Sequence, residues 1–187
     1  MTMVGVTGHR FLAELDRVTA GVDKALDRIE DAFGEHPMTV ISALSEGADR
    51  LVAQRVLVRP DGKLIAVLPL PQSDYMSDFD SSESREEFLS LLARADRVIT
   101  LPPAPTREDA YAAAGHYVLD HCDLLLGVWD GEKAQGTGGT AEIVAEARRR
   151  GLPLAWVHAG NRKPGTHEPV LLCNEQGVVT FERLPTA

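Results

Sequence analysis

The chain has 187 residues, 44% hydrophobic and 25% charged, with a formal net charge of −9. That length predicts a single domain with a core of two or three layers. The acidic balance opposes a broad, sequence-independent grip on nucleic acid, which requires many Lys and Arg side chains against phosphates, and leaves room only for a local basic groove. No apolar run reaches membrane-spanning length, and the first residues follow a strand pattern rather than that of a leader peptide. A cytoplasmic protein without membrane contact is therefore expected. Cys122 and Cys173 have no C-x-x-C spacing, so neither a metal site nor a redox pair is signalled, and Cys122 reads as core.

In chain order, residues 3–7 predict a first buried strand. Leu12, Leu15, Val18, Val22, Leu26, Ile29 and Phe33 then recur at three- and four-residue steps, an amphipathic helix ended by Gly34. A strand is expected over 38–44, a helix over 46–56, and a strand over 63–68 after the turn at Pro60, Asp61 and Gly62. Pro69 and Pro71 break the pattern, and residues 72–82 read as a long surface loop. A helix near 83–93 follows, its acids Glu83, Glu86 and Glu87 forming a solvated start. Next come a strand over 97–101, a helix over 107–121, a strand over 123–129, and a helix over 141–150 closed by Gly151. Arg148, Arg149 and Arg150 suit the negative end of that helix dipole. Residues 154–158 form a sixth strand and 178–181 a short edge strand. Tyr111 and Tyr117 lie on the helix before the fifth strand, and core packing is expected of at least one. This alternation, with Val, Ile and Leu throughout the strands, predicts an α/β fold: a mostly parallel sheet of six or seven strands with helices on both faces. Loops that follow the strands then gather at one edge, where ligands of open α/β sheets bind.

Three of those junctions carry the chemistry. After the first strand, Gly8 allows close backbone approach to a phosphate, and Arg10 offers a charged fork matching its oxygens. His9 and Arg10 equally suit a helix cap or a bridge to surface acids. After the second strand stand Ser42, Ser45, Glu46, Gly47 and Asp49. Ser45 reads as an N-cap, Glu46 and Asp49 as complements to the dipole, and Glu46 also as an acceptor for a ribose diol. After the fifth strand come Asp130 and the loop of Gly136, Gly138, Gly139 and Thr140 leading into a helix with Glu142 in its first turn. A helix N-terminus behind a glycine loop is a ready anion site; the plain alternative is a mobile surface connection. Thr140 suits both an N-cap and a phosphate contact.

Familiar signatures are missing. Gly5-Val6-Thr7-Gly8 is not G-x-G-x-x-G, and no glycine loop ends in a Walker A lysine. There is no G-x-S-x-G elbow, and His116 and His121 point to different sides of a helix, a poor metal pair.

The set Gly5-Val6-Thr7-Gly8-His9-Arg10, Ser45-Glu46-Gly47-Ala48-Asp49, and Trp129-Asp130-Gly131 with Gly138-Gly139-Thr140-Ala141-Glu142 resembles the SLOG superfamily over roughly residues 3 to 158. That superfamily links the Smf/DprA proteins, the LOG phosphoribohydrolases often labelled lysine decarboxylases, and sensor domains of bacterial defence systems and of TRPM channels. The resemblance implies a Rossmann-like fold holding a nucleotide, nucleotide sugar or NAD-derived ligand over the strand ends, in a homodimer or higher homo-oligomer. The LOG enzymes carry P-G-G-x-G-T-x-x-E, whose glutamate takes part in cleaving the N-glycosidic bond of a nucleotide. Here Ile143 stands at the matching position, and Glu142 is one place early, about 100° away on a helix.

The expectation is a single Rossmann-like domain binding a phosphorylated nucleoside as a sensor or ligand-binding protein, with no cofactor and no metal. Two alternatives stand beside it: a LOG-like phosphoribohydrolase, in which Glu142, Glu46 or Asp130 stabilises positive charge on the sugar, and a subunit of a larger assembly.

Overall fold

Apolar runs of four to seven residues build the strands, and helices with one apolar face cover them. The structure, a computed structural model, describes residues 1–34, 37–132, 139–170 and 175–185. Its strands are β1 (Thr2–Gly8), β2 (Met38–Ser42), β3 (Lys63–Leu68), β4 (Arg97–Thr100), β5 (Leu124–Trp129), β6 (Leu154–His158) and β7 (Val179–Glu182). The helices are α1 (Leu15–Phe33), α2 (Ala48–Leu57), α3 (Gln72–Tyr75), α4 (Ser82–Leu92), α5 (Arg107–Asp120) and α6 (Thr140–Arg149). A 3-10 turn, Met76–Asp78, follows α3 directly.

The strands form one sheet in the order β4-β3-β2-β1-β5-β6-β7. All neighbours are parallel except β6 and β7, which pair antiparallel. Successive side chains of a strand face opposite ways. Val40 therefore joins the cluster under α1 and α2, and Ile41 the one under α5 with Val67, Ala114 and Val118. On the α5 and α6 face a third cluster gathers Leu125, Trp129, Ile143 and Val144. Every residue of β5 is buried, as a central parallel strand covered on both sides must be. The Rossmann-like α/β architecture read from the sequence is the one found.

From β1 the chain steps outward through β2, β3 and β4, then returns through α5 to lay β5 on the other side of β1. The order reverses between β1 and β5, and at such a point the loops leaving the two strands part and open a crevice at their carboxyl ends. Gly8 ends β1, and Asp130 follows β5.

The local reading needs several corrections. Residues 72–82 are no surface loop. Residues 72–78 fold into α3 and the 3-10 turn, Ser82 opens α4, and the segment buries Tyr75 and Phe79 at 3% and 1% exposure. Tyr75, Phe79 and Phe88 of α4 pack together with ring centroids 5.0 to 5.8 Å apart. The first helix begins at Leu15; Leu12 is buried outside it, in a bridge to Asn161. Glu87 is not simply solvated: its carboxylate takes Arg50 Nη1 at 2.9 Å and Gln54 Nε2 at 2.8 Å. Arg50 is 1% exposed, donates also to Leu44 O and Ser84, and lies 4.4 Å over the Phe79 ring. This buried guanidinium clamps α4 onto α2. Tyr111 packs on Tyr75 and bonds Asp78, while Tyr117 stacks on His121 at 3.9 Å. Among the described residues no helix is long and apolar enough to cross a membrane.

Candidate functional site

A cavity of about 250 Å³ opens at the carboxyl edge of the sheet on the α5 and α6 side. Its floor is the end of β1 (Val6, Thr7, Gly8) with Ala43 after β2 and Pro69 after β3. One wall comes from Ala114, Gly115 and Val118 of α5 and from Gly139, Thr140 and Ile143 at the start of α6. The other comes from Tyr75, Asp78 and Phe79, with Arg10, Ser45, Asp49 and Tyr111 completing it. The cavity therefore lies beside the reversal between β1 and β5.

Four of the anticipated residues meet here: Gly8, Arg10, Gly139 and Thr140. A Cβ on Gly8 would fall 2.4 Å from both Ala48 Cβ and Val128 O, so packing as well as ligand approach calls for glycine. Arg10 is held from behind by Glu46 Oε2 at 2.5 Å and by the Asp78 carbonyl at 3.1 Å. Glu46 also accepts from Ser84 Oγ at 2.5 Å, so this acid is committed to protein partners. Glu46 and Gly47 border a second, more open groove of about 780 Å³, lined also by Arg10, Arg50, Arg162 and the start of α4. Arg10 lines both spaces.

His9 and Asp130 line neither space. They fasten the ends of β1 and β5 together: the Asp130 N–H donates to His9 Nε2 at 3.1 Å, and an Asp130 oxygen lies 3.1 Å from the same nitrogen. Burial lowers the His9 pKa, with the Asp130 carboxylate opposing. Ser42 is fully buried and takes the Leu44 N–H on its Oγ at 3.0 Å, a turn contact. Glu142 is part-buried in the first turn of α6. Gly136 and Gly138 lie outside the described residues.

Two capping expectations change. The N-cap of α2 is Gly47, not Ser45, with φ 79°. A Cβ there would fall 2.3 Å from the carbonyl oxygens of His9 and Arg10. The chain comes this close because the Ala48 N–H donates to His9 O at 3.0 Å, which spends that amide of α2 inside the protein. The N-cap of α6 is Gly139, and Thr140 is its first helical residue. The amides of Glu142 and Ile143 return to Gly139 O, while Gly139 and Thr140 face the cavity. The positive end of the α6 dipole is therefore aimed at it.

Sequence reasoning missed Asp49, Tyr75, Asp78 and Tyr111. Asp49 lies on the first turn of α2, 5% exposed, with its Oδ2 3.4 Å from Ser45 N. Burial pushes its carboxyl up to about 6, against the pull of Ser45, Ser42 and Arg50. Burial, and then the charge of Asp49, raise the Tyr75 phenol, which keeps its proton. Asp78 accepts from the Tyr111 hydroxyl and pairs with Arg107 at 2.9 Å, and Arg107 reaches Asp74 as well. Asp74 with Asp78 and Tyr75 with Phe79 are each four residues apart. That spacing was the available signal of helical turns delivering one pair outward and the other inward. Among the described residues no cluster of His, Cys, Asp or Glu is suited to a metal ion.

No protein-family model matches the chain. It is similar to part of a protein named "Probable kinase PglW" from Streptomyces coelicolor, 30% identical over 142 residues, a stretch taking in 70% of this chain. The matched stretch spans only 8% of that protein's length. Among solved structures, the crystal structure of the structural-genomics target TM1055 superposes with a TM-score of 0.50 at 16% identity, covering 82% of this chain and 72% of the other. That likeness bears on the fold, and it agrees with the Rossmann-like arrangement of strands and helices.

Proposed function

We propose that this protein binds a phosphorylated ribonucleoside, such as a nucleotide, a nucleotide sugar or an NAD-derived molecule, in the cavity beside the β1 and β5 ends, as a sensor or ligand-binding protein. The observation that carries this reading is the pairing of Arg10 with the N-terminus of α6 on the walls of one cavity, at the reversal of strand order. Arg10 supplies a guanidinium for phosphate oxygens, and the helix start supplies amide donors and the positive end of a dipole. The apolar floor suits a sugar or base. At about 250 Å³ the cavity is just below the usual size range of ligand sites, which favours no more than one nucleoside unit inside it.

Binding is favoured over glycosidic cleavage because Ile143, 2% exposed, lines the cavity at the position where the LOG motif has its glutamate. The test is a thermal-shift screen with nucleoside mono-, di- and triphosphates, NAD and ADP-ribose, with chromatography of each mixture after long incubation. A ligand at a hundred times its Kd adds about 2.7 kcal/mol. Stabilisation with the ligand recovered intact is the expected result; release of free base would establish a hydrolase instead, and no shift with any compound would sink the nucleotide reading.

A second reading is favoured by one specific observation, the likeness to a small part of a far longer protein. It makes this fold a recognition unit whose ligand-bound state is read by another protein or domain carrying the chemistry. Self-association into a dimer belongs to the same proposal, and light scattering with and without nucleotide tests it.

A further inference from the structure

Asp49 has no part in the phosphate contacts proposed above, yet it is one of the residues that line the cavity. Among the described residues no Lys, Arg or His side chain forms an ion pair with it: the neighbouring Arg50 turns its guanidinium to Leu44 O, Ser84 and Glu87. Its partners are Ser45 and Ser42, with the Ser45 amide at the long distance of 3.4 Å. These partners, the Ser45 amide and hydroxyl and the Ser42 hydroxyl, are neutral donors, and burying a carboxylate without a paired cation is costly. A ligand in the cavity is the partner that would offset this cost.

The surroundings narrow what that partner is. A second anion beside Asp49 would be repelled, so the phosphate belongs at Arg10 and the α6 start, and the part of the ligand at Asp49 is uncharged. Two carboxylate oxygens accept two adjacent donors, an arrangement that vicinal hydroxyls match. Glu46, the acid that the sequence directed at a ribose, is instead committed to Arg10 and Ser84. Resting on the nucleotide reading of the cavity, we propose that Asp49 accepts hydrogen bonds from the 2′- and 3′-hydroxyls of the ligand's ribose and makes the site select ribonucleotides over 2′-deoxyribonucleotides.

The experiment is isothermal titration of the wild-type protein, Asp49→Asn and Asp49→Ser with the four ribonucleoside 5′-monophosphates, their 2′-deoxy counterparts, and inosine 5′-monophosphate. A site built to bond a hydroxyl rejects the analogue that lacks it. The wild type is expected to bind the deoxy form about tenfold or more weakly, and both variants to bind the two forms within about twofold of each other. Equal wild-type affinities for ribo and deoxy forms would overturn the proposal even if neither variant folds. So would a variant that keeps the preference. If the variants lose instead a preference for adenine over hypoxanthine, Asp49 serves the base amine and the ribose assignment is wrong. In these cases nucleotide binding itself stands. Binding of none of these monophosphates would overturn this inference, whereas the nucleotide reading falls only when the thermal-shift screen with di- and triphosphates, NAD and ADP-ribose is also blank.

Discussion

Arg10 and Asp49 set opposite demands on one cavity. Arg10 is 44% exposed at its side chain and held by Glu46, so removing it leaves packing largely intact. Arg10→Ala is expected to weaken a nucleoside 5′-monophosphate by tenfold or more, on the order of the 1.5 to 3 kcal/mol of a hydrogen bond to a charged group, while the bare nucleoside loses little. Calorimetric titration of both ligands checks this, and equal losses would remove Arg10 from the phosphate site. Asp49 affects the empty protein as well. Its folded pKa is raised from 3.8 to about 6, so the native state holds a proton that the unfolded chain releases between those values. Stability from this group is intact below pH 4, falls as pH rises towards 6, and stays reduced above it. Asp49→Asn should therefore leave stability unchanged near pH 4 and raise it at pH 7 by an amount on the order of 3 kcal/mol. Urea unfolding of the two proteins across that range measures the difference, and parallel curves would show that the carboxyl is not under strain. A residue whose replacement stabilises the fold while weakening the ligand is the usual mark of a functional group.

At the scale of elements, what was legible followed from period. The apolar steps of α1 located its body and its end at Gly34, and β3 and β6 have the limits read from their Val, Ile and Leu runs. What stayed hidden depends on contacts distant in sequence. The aromatic side chains of residues 72–82 are buried only because α4 and Arg50 come to meet them. The turns holding them are too short for an apolar stripe to register. The start of α2 misled for a similar reason: Ser45 is a good N-cap by residue type, but Gly47 is demanded by carbonyls of the β1 loop. Asp49 read as a dipole complement because nothing local tells that its helix start lines a cavity. Gly47→Ala is expected to cost about 2 to 4 kcal/mol, combining a strained positive φ with displacement of the β1 loop. Thermal unfolding tests this, and a loss under about 0.5 kcal/mol, typical of an unconstrained surface site, would contradict the close approach.

Across the whole molecule, one cluster of buried residues runs from β3 through β2, β1 and β5 to β6 beneath α1 and α2. The two tryptophans, Trp129 and Trp156, lie with ring centroids 4.6 Å apart and tilted by 30° at the β5 and β6 end, so their fluorescence reports that half alone, whereas far-ultraviolet circular dichroism reports all helices. Because the shared cluster joins the halves, the two signals are expected to change at the same urea concentration, as in a two-state transition. Separate midpoints would divide the protein into two units. The strand order also sets a timetable. A chain leaving the ribosome N-terminus first exposes β1 to β4, with Gly8, Arg10, Asp49 and Phe79, before β5. β1 then keeps an unpaired edge until β5, residues Leu124–Trp129, arrives beside it. The α6 wall of the cavity comes later still. Arg10 and Asp49 are thus synthesised well before Gly139, Thr140 and Ile143, and the cavity has both its walls only once α6 packs against the sheet.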